Sequence, residues 1–196
     1  MPGMYWTVPT LLTWARVLAI PLVVAVFYVP GLQPTEQNLW ATALFVVIAL
    51  TDWADGYLAR RLKQTSAFGA FFDPVADKFL VCASMLILLD LERVHVVVAL
   101  IIVGREIAIS ALREWMATIG AGGVAVHGIG KLKTAAQMVA IPFLLYHAQW
   151  LGSIDTARWG TWLIELAAAL TVVSMVFYLR RAWPQLARVN KQGRIE

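Results

Sequence analysis

The sequence predicts an all-α integral membrane protein: about six transmembrane helices, an N-terminal interfacial segment, and both termini in the cytoplasm. Three observations predict it. Hydrophobic residues make up 60% of the 196 and charged residues 14%, with a mean hydropathy of +0.71, whereas soluble domains run nearer ~45–50% and ~25%. Six apolar segments, 12–30, 39–59, 69–89, 94–116, 132–151 and 160–180, approach the roughly 20 residues that cross a hydrocarbon core. Lysine and arginine gather in alternate breaks: Arg60, Arg61 and Lys63, then Lys131 and Lys133, then Arg180, Arg181, Arg188, Lys191 and Arg194. The other breaks hold only Arg93 and Arg158, so the basic side is expected in the cytoplasm.

Each element follows from local chemistry. Residues 4–16 read as an interfacial segment leading into the first helix, and no signal peptide is expected, because no basic n-region or small-x-small site is present. Pro21 and Pro142 fall inside spans and predict kinks. Trp40, Trp115, Trp150, Trp159, Trp162 and Trp183 lie near span ends, as an aromatic belt would place them. Residues 182–191 read as a basic interfacial or frayed end. One domain, 1–196, accounts for the length. The single Cys82 excludes an internal disulfide and a cysteine-based metal cluster. His95, His127 and His147 are scattered without metal-ligand spacing. The formal charge of +4 suits loops facing anionic lipid, and no basic cluster interleaved with aromatics points to nucleic acid.

The chemistry concentrates between Asp52 and Asp77. Four carboxylates, Asp52, Asp55, Asp73 and Asp77, lie in or beside apolar runs, where a bare charge costs roughly 2.5 kcal/mol or more. Asp52 and Asp55 are three apart and Asp73 and Asp77 four, so each pair shares a helix face. The polar stretch Arg61 to Ser66 is a natural turn between two antiparallel helices, which brings both pairs to similar depth. An all-oxygen set of this kind suits Mg²⁺, Mn²⁺ or Ca²⁺. Gly56, Ala59, Gly69, Ala70 and Ala76 leave room for a ligand, and Arg60 can pair with phosphate oxygens. Pro74 lacks an N–H, which frees a carbonyl near Ala70.

These residues spell Asp52-x2-Asp55-Gly56-x2-Ala59-Arg60-x8-Gly69-x3-Asp73-x3-Asp77. The pattern resembles the signature of the CDP-alcohol phosphatidyltransferases, without departure. The resemblance implies two Mg²⁺ or Mn²⁺ ions held by Asp52, Asp55, Asp73 and Asp77, with Asp77 also the base that takes the acceptor's proton. It implies donor contacts from Gly56, Ala59, Arg60 and Gly69, and from Thr13 and Arg16 near the start of the first helix. There the family's Asn-x-x-Thr-x-x-Arg element is met except at Thr10. It further implies a homodimer.

A second region spans 104–137. Arg105 and Glu106 lie well inside a span and are expected to face the bundle interior; Glu106 and Arg113 share a face. A glycine-rich loop, 120–123, precedes Lys131 and Lys133 at the start of the fifth helix, where the helix dipole also favours an anion. Arg105, Arg113, Lys131 and Lys133 together read as a pocket for a phosphorylated acceptor. Arg105-Glu106, Ser110 to Met116, and Gly130 to Thr134 with Gln137-Met138 narrow the resemblance to the bacterial phosphatidylglycerophosphate synthase branch. That branch implies CDP-diacylglycerol and sn-glycerol-3-phosphate as substrates, and a bacterial inner-membrane enzyme with its active site facing the cytoplasm. Other readings are a different acceptor (serine, inositol phosphate or a phospholipid) or a divalent-cation transporter, which would leave Gly56, Arg60 and Gly69 unexplained. An intramembrane aspartyl protease would need only two of the four aspartates.

Overall fold

The computed structural model describes residues 8–62, 67–118, 128–150 and 152–192, without the side chains of 8–13, 52–62, 67–71, 73, 128–131, 181–182 and 184–192. The chain is mostly helical: α1 (Val8–Ala25), α2 (Pro34–Leu62), α3 (Ala67–Asp90), α4 (Val96–Thr118), α5 (Gly128–Tyr146) and α6 (Thr156–Gln192). A 3₁₀ turn, Val26–Tyr28, follows α1, and two short strands, β1 (Gln149–Trp150) and β2 (Ile154–Asp155), precede α6.

Local chemistry sets the ends. Glu36 Oε2 accepts from the Gln33 N–H at 3.0 Å, the back-bond of a capping box that starts α2. At the end of α3 the Glu92 N–H reaches the Leu89 carbonyl and the Arg93 N–H the Leu88 carbonyl. This is a Schellman motif, with Glu92 itself in the left-handed region at φ 57°. Asp155 Oδ1 accepts from the Arg158 N–H at 3.1 Å and caps α6.

Residues 8–16 form the opening turns of α1, and residues 1–7 lie outside the described residues. Three sequence expectations are corrected. The first span stops as α-helix at Ala25, ahead of Pro30 and Gly31. The fifth stops at Tyr146 rather than 151: His147 takes φ 47° and the chain turns into a hairpin pairing Gln149 with Asp155 and Trp150 with Ile154. The tail is helical to Gln192, so α6 runs 37 residues, about 55 Å at 1.5 Å per residue. Pro21, Pro74 and Pro142 all lie inside continuous helices.

The chain divides into two compact units, Met1–Val94 with Ile141–Thr161, and His95–Ala140 with Trp162–Glu196. In the first, α1 packs on both α2 and α3, with Ile20, Val23, Phe45, Met85 and Leu88 buried. Trp14 packs against Phe72 at 5.0 Å between ring centroids, the ring planes tilted by 38°. Arg93 ties this unit together. Its Nη1 donates to the Leu144 and Leu145 carbonyls at 3.0 and 2.8 Å, its Nη2 to Asn38 Oδ1 at 2.8 Å, and its guanidinium lies over Phe27. Those carbonyls are among the last of α5, which have no intrahelical donor. Gly160 of α6 crosses α5 so closely that an added Cβ would stand 2.8 Å from Leu144 Cγ and 3.1 Å from its backbone N. In the second unit Ala99, Ile102, Ile109, Ala136 and Ala168 are buried.

Among the described residues one helix is long and apolar enough to cross a membrane, Thr156–Arg180. Only a third of its apolar window is buried, so most of it faces outward. The α4 helix is continuous, but its apolar run is interrupted by Arg105, Glu106, Arg113 and Glu114. All six tryptophans assigned to the belt are exposed, from 37% at Trp115 to 71% at Trp183.

Candidate active site

The four aspartates sit on two helices joined by a short connection. Helix α2 ends at Leu62 and α3 begins at Ala67. Asp52 lies ten residues before the end of α2 and Asp77 ten after the start of α3, while Asp55 lies seven before and Asp73 six after. At 1.5 Å per residue the outer pair is about 15 Å along the helices from the connection and the inner pair about 10 Å. The registers match, as the sequence spacing requires. Residues 63–66 of the predicted turn lie outside the described residues.

Asp77 is half-buried, beside fully buried Ala76. The carboxyl groups of Asp52, Asp55 and Asp73 lie outside the described residues, as do the side chains of Ala59, Arg60 and Thr13 and the surroundings of Gly56 and Gly69. Among the described residues no group of three or more potential metal ligands gathers. The donor set at this register still fits hard divalent cations: four carboxylates from two helices, with a carbonyl freed at Ala70. Pro74 is inside α3 and gives that carbonyl no N–H. Arg16 of α1 is only 3% exposed.

The basic cluster is organised by a residue given no role from the sequence. Glu106 Oε1 accepts from Arg105 Nη1 at 2.9 Å and from Lys133 Nζ at 2.7 Å, joining α4 to α5. Lys133 and Arg105 are both buried, while Arg113, two turns along α4 from Glu106, is exposed. The Arg105 guanidinium lies 5.9 Å from the Tyr178 ring centroid on α6. The side chain of Lys131 and the glycine loop 120–123 lie outside the described residues. Sequence carried a signal for Glu106: a carboxylate deep in an apolar helix needs cationic partners.

Comparison with known proteins bears on the whole chain. The family model for CDP-alcohol phosphatidyltransferase matches residues 6–182. The CDP-diacylglycerol--glycerol-3-phosphate 3-phosphatidyltransferase of Escherichia coli (strain K12) is 47% identical over 184 residues, covering 91% of this chain and 96% of that protein. The proteins of that name from Shigella flexneri serotype 5b (strain 8401) and Shigella sonnei (strain Ss046) match to the same extent. The matched stretch takes in both helices that carry the four aspartates and the helices of the Glu106 cluster. The chain belongs to the CDP-alcohol phosphatidyltransferase family.

Proposed function

We propose that this chain transfers the phosphatidyl group from CDP-diacylglycerol to sn-glycerol-3-phosphate, giving phosphatidylglycerophosphate and CMP. The observation that carries this reading is the 47% identity, over 91% of the chain, to a relative named for that activity. In this reading the protein is one domain of about six spans in a bacterial inner membrane. Both termini and the active site face the cytoplasm, and the protein works as a homodimer.

Asp52, Asp55, Asp73 and Asp77 hold two divalent cations. Bound there, Mg²⁺ or Mn²⁺ neutralises the diphosphate and the charge that develops on the CMP leaving group. Asp77 takes the proton from the acceptor hydroxyl as its oxygen bonds to the phosphorus that carries diacylglycerol. The bond from that phosphorus to the bridging oxygen breaks, and its electron pair leaves with CMP. Gly56, Ala59 and Gly69 give the nucleotide room. Arg60, Thr13 and Arg16 bind the donor.

Arg105, Arg113, Lys131 and Lys133 hold the acceptor's phosphate. Glu106 offsets one of the four charges of Arg105, Arg113, Lys131 and Lys133, which leaves a surplus of three for a phosphate dianion. A neutral acceptor such as serine has no use for such a cluster. The test is the turnover of Arg113→Ala on glycerol-3-phosphate and on plain glycerol. Losing one charge-assisted contact is expected to cost about 1.5–3 kcal/mol, roughly ten- to a hundred-fold, as a raised KM for glycerol-3-phosphate with donor KM little changed. The loss should shrink on glycerol. Equal fractional losses on both would remove Arg113 from the acceptor site.

A further inference from the structure

Helix α5 turns one face inward. Lys133, Ala136, Gln137, Ala140 and Ile141 are buried, at the spacing of a single helical stripe. The stripe is apolar from Ala140 onward, and Lys133 is matched by Glu106 Oε1 at 2.7 Å. Gln137 is the exception. It is 3% exposed, and its side chain bonds to no group among the described residues. The fully enclosed polar atoms without a partner are Arg16 Nε, Arg105 Nε and the Tyr178 hydroxyl, and the Gln137 amide is not one of them. The small part of Gln137 that stays open is therefore its amide end. An amide both donates and accepts, and holding one unbonded in a buried stripe is costly beside an apolar residue of the same size. A bound ligand that used both functions would offset that cost.

The neighbour of Gln137 indicates which ligand. Helical side chains lean toward the helix N-terminus, so Gln137 lies over the turn that carries Lys133. The two residues are four apart, about 6 Å along the axis. Lys133 belongs to the cluster that holds the acceptor's phosphate in the proposed function. Glycerol-3-phosphate carries its secondary hydroxyl on the carbon next to the phosphate ester, within reach of a side chain one turn from the phosphate. A phosphate oxygen would serve only the N–H end of the amide. A hydroxyl serves either end.

We propose that Gln137 is a specificity-determining residue whose amide binds the acceptor's secondary hydroxyl while the basic cluster holds the phosphate. The inference rests on the glycerol-3-phosphate reading of the site and adds a contact that charge does not supply. The cluster alone would take any small phosphorylated alcohol. The amide makes the site prefer one with a hydroxyl beside the phosphate ester.

The test compares sn-glycerol-3-phosphate with 3-hydroxypropyl phosphate, which keeps the reacting primary hydroxyl and the phosphate but lacks the secondary hydroxyl. The native chain is expected to prefer glycerol-3-phosphate in kcat/KM by about tenfold or more, because the analogue leaves a buried amide unpaired. Gln137→Leu should lower kcat/KM about tenfold on glycerol-3-phosphate and by less than about twofold on the analogue, erasing the preference. Its Tm should not fall, since leucine replaces an unbonded amide. Arg113→Ala is the contrast, lowering both acceptors alike through the phosphate they share. Gln137→Met, closer in shape to glutamine, takes the place of the leucine variant if that one misfolds. Equal fractional losses on both acceptors would overturn the proposal in favour of a structural role or a phosphate contact. Equal turnover of the two acceptors by the native chain would overturn it without any variant. No phosphatidylglycerophosphate from the native chain would overturn the acceptor reading itself, and this inference with it.

Discussion

Lys133 is buried to 2% exposure, and its ammonium ends on a single carboxylate oxygen, Glu106 Oε1. Replacing Glu106 with leucine leaves Lys133 and Arg105 as neighbouring cations without a counter-charge, and removing one partner of a buried pair costs roughly 3–5 kcal/mol. Lys133→Met alone leaves Glu106 with Arg105 and should cost less. The double variant, Glu106→Leu with Lys133→Met, is expected to regain most of the stability lost in Glu106→Leu. Thermal unfolding of the three variants closes the cycle, and simple additivity would mean that the pair is not coupled. On the proposed function, acceptor affinity should not return with stability, because the cluster would then have one cation fewer for the phosphate. Arg105 was legible in the sequence as a basic residue inside a span, and Lys133 as part of a basic cluster opening the fifth helix. Their tie to Glu106 was not, since pairing across two helices depends on how α4 and α5 pack.

Two helical glycines make opposite demands on their elements. An added methyl at Gly160 meets the Leu144 side chain and backbone of α5, whereas at Gly104 it meets open space. Gly160→Ala is expected to destabilise by about 1–3 kcal/mol through overpacking, partly offset by alanine's helix propensity. Gly104→Ala gains the propensity alone, up to about 1 kcal/mol. A lower Tm for the first and a higher Tm for the second, in the same detergent, is the expected pair; equal shifts would contradict the close α5–α6 crossing. Element positions were legible from hydropathy to within a few residues for α2, α3 and α4. They failed at the ends of α1 and α5, where apolar composition ran past the true stop. At His147 a left-handed residue ends the helix, and an apolar window does not register backbone handedness. The role of Arg93 was missed for a related reason. It reads as one charge in a polar break, and only the folded chain brings Asn38 and the end of α5 to it.

For the whole molecule, the family was legible because four carboxylates among apolar residues, at the spacing of its signature, are costly unless cations or protons neutralise them. Their matched distance from the α2–α3 connection is the structural counterpart of that spacing. Substrate identity was legible less directly, through a cluster whose charge balance depends on one unforeseen glutamate. The central claim is that the chain joins CDP-diacylglycerol to glycerol-3-phosphate through that carboxylate site. The most direct measurement is product identification by mass spectrometry. Purified protein would receive Mg²⁺, CDP-diacylglycerol and an equimolar panel of glycerol-3-phosphate, glycerol, serine and inositol phosphate, with Asp52→Asn alongside. The account predicts phosphatidylglycerophosphate and CMP in equal amounts from the native chain. It predicts neither from Asp52→Asn nor after chelation, because an amide does not supply the charge that balances a divalent cation. A different lipid product, or undiminished phosphatidylglycerophosphate from Asp52→Asn, would contradict it.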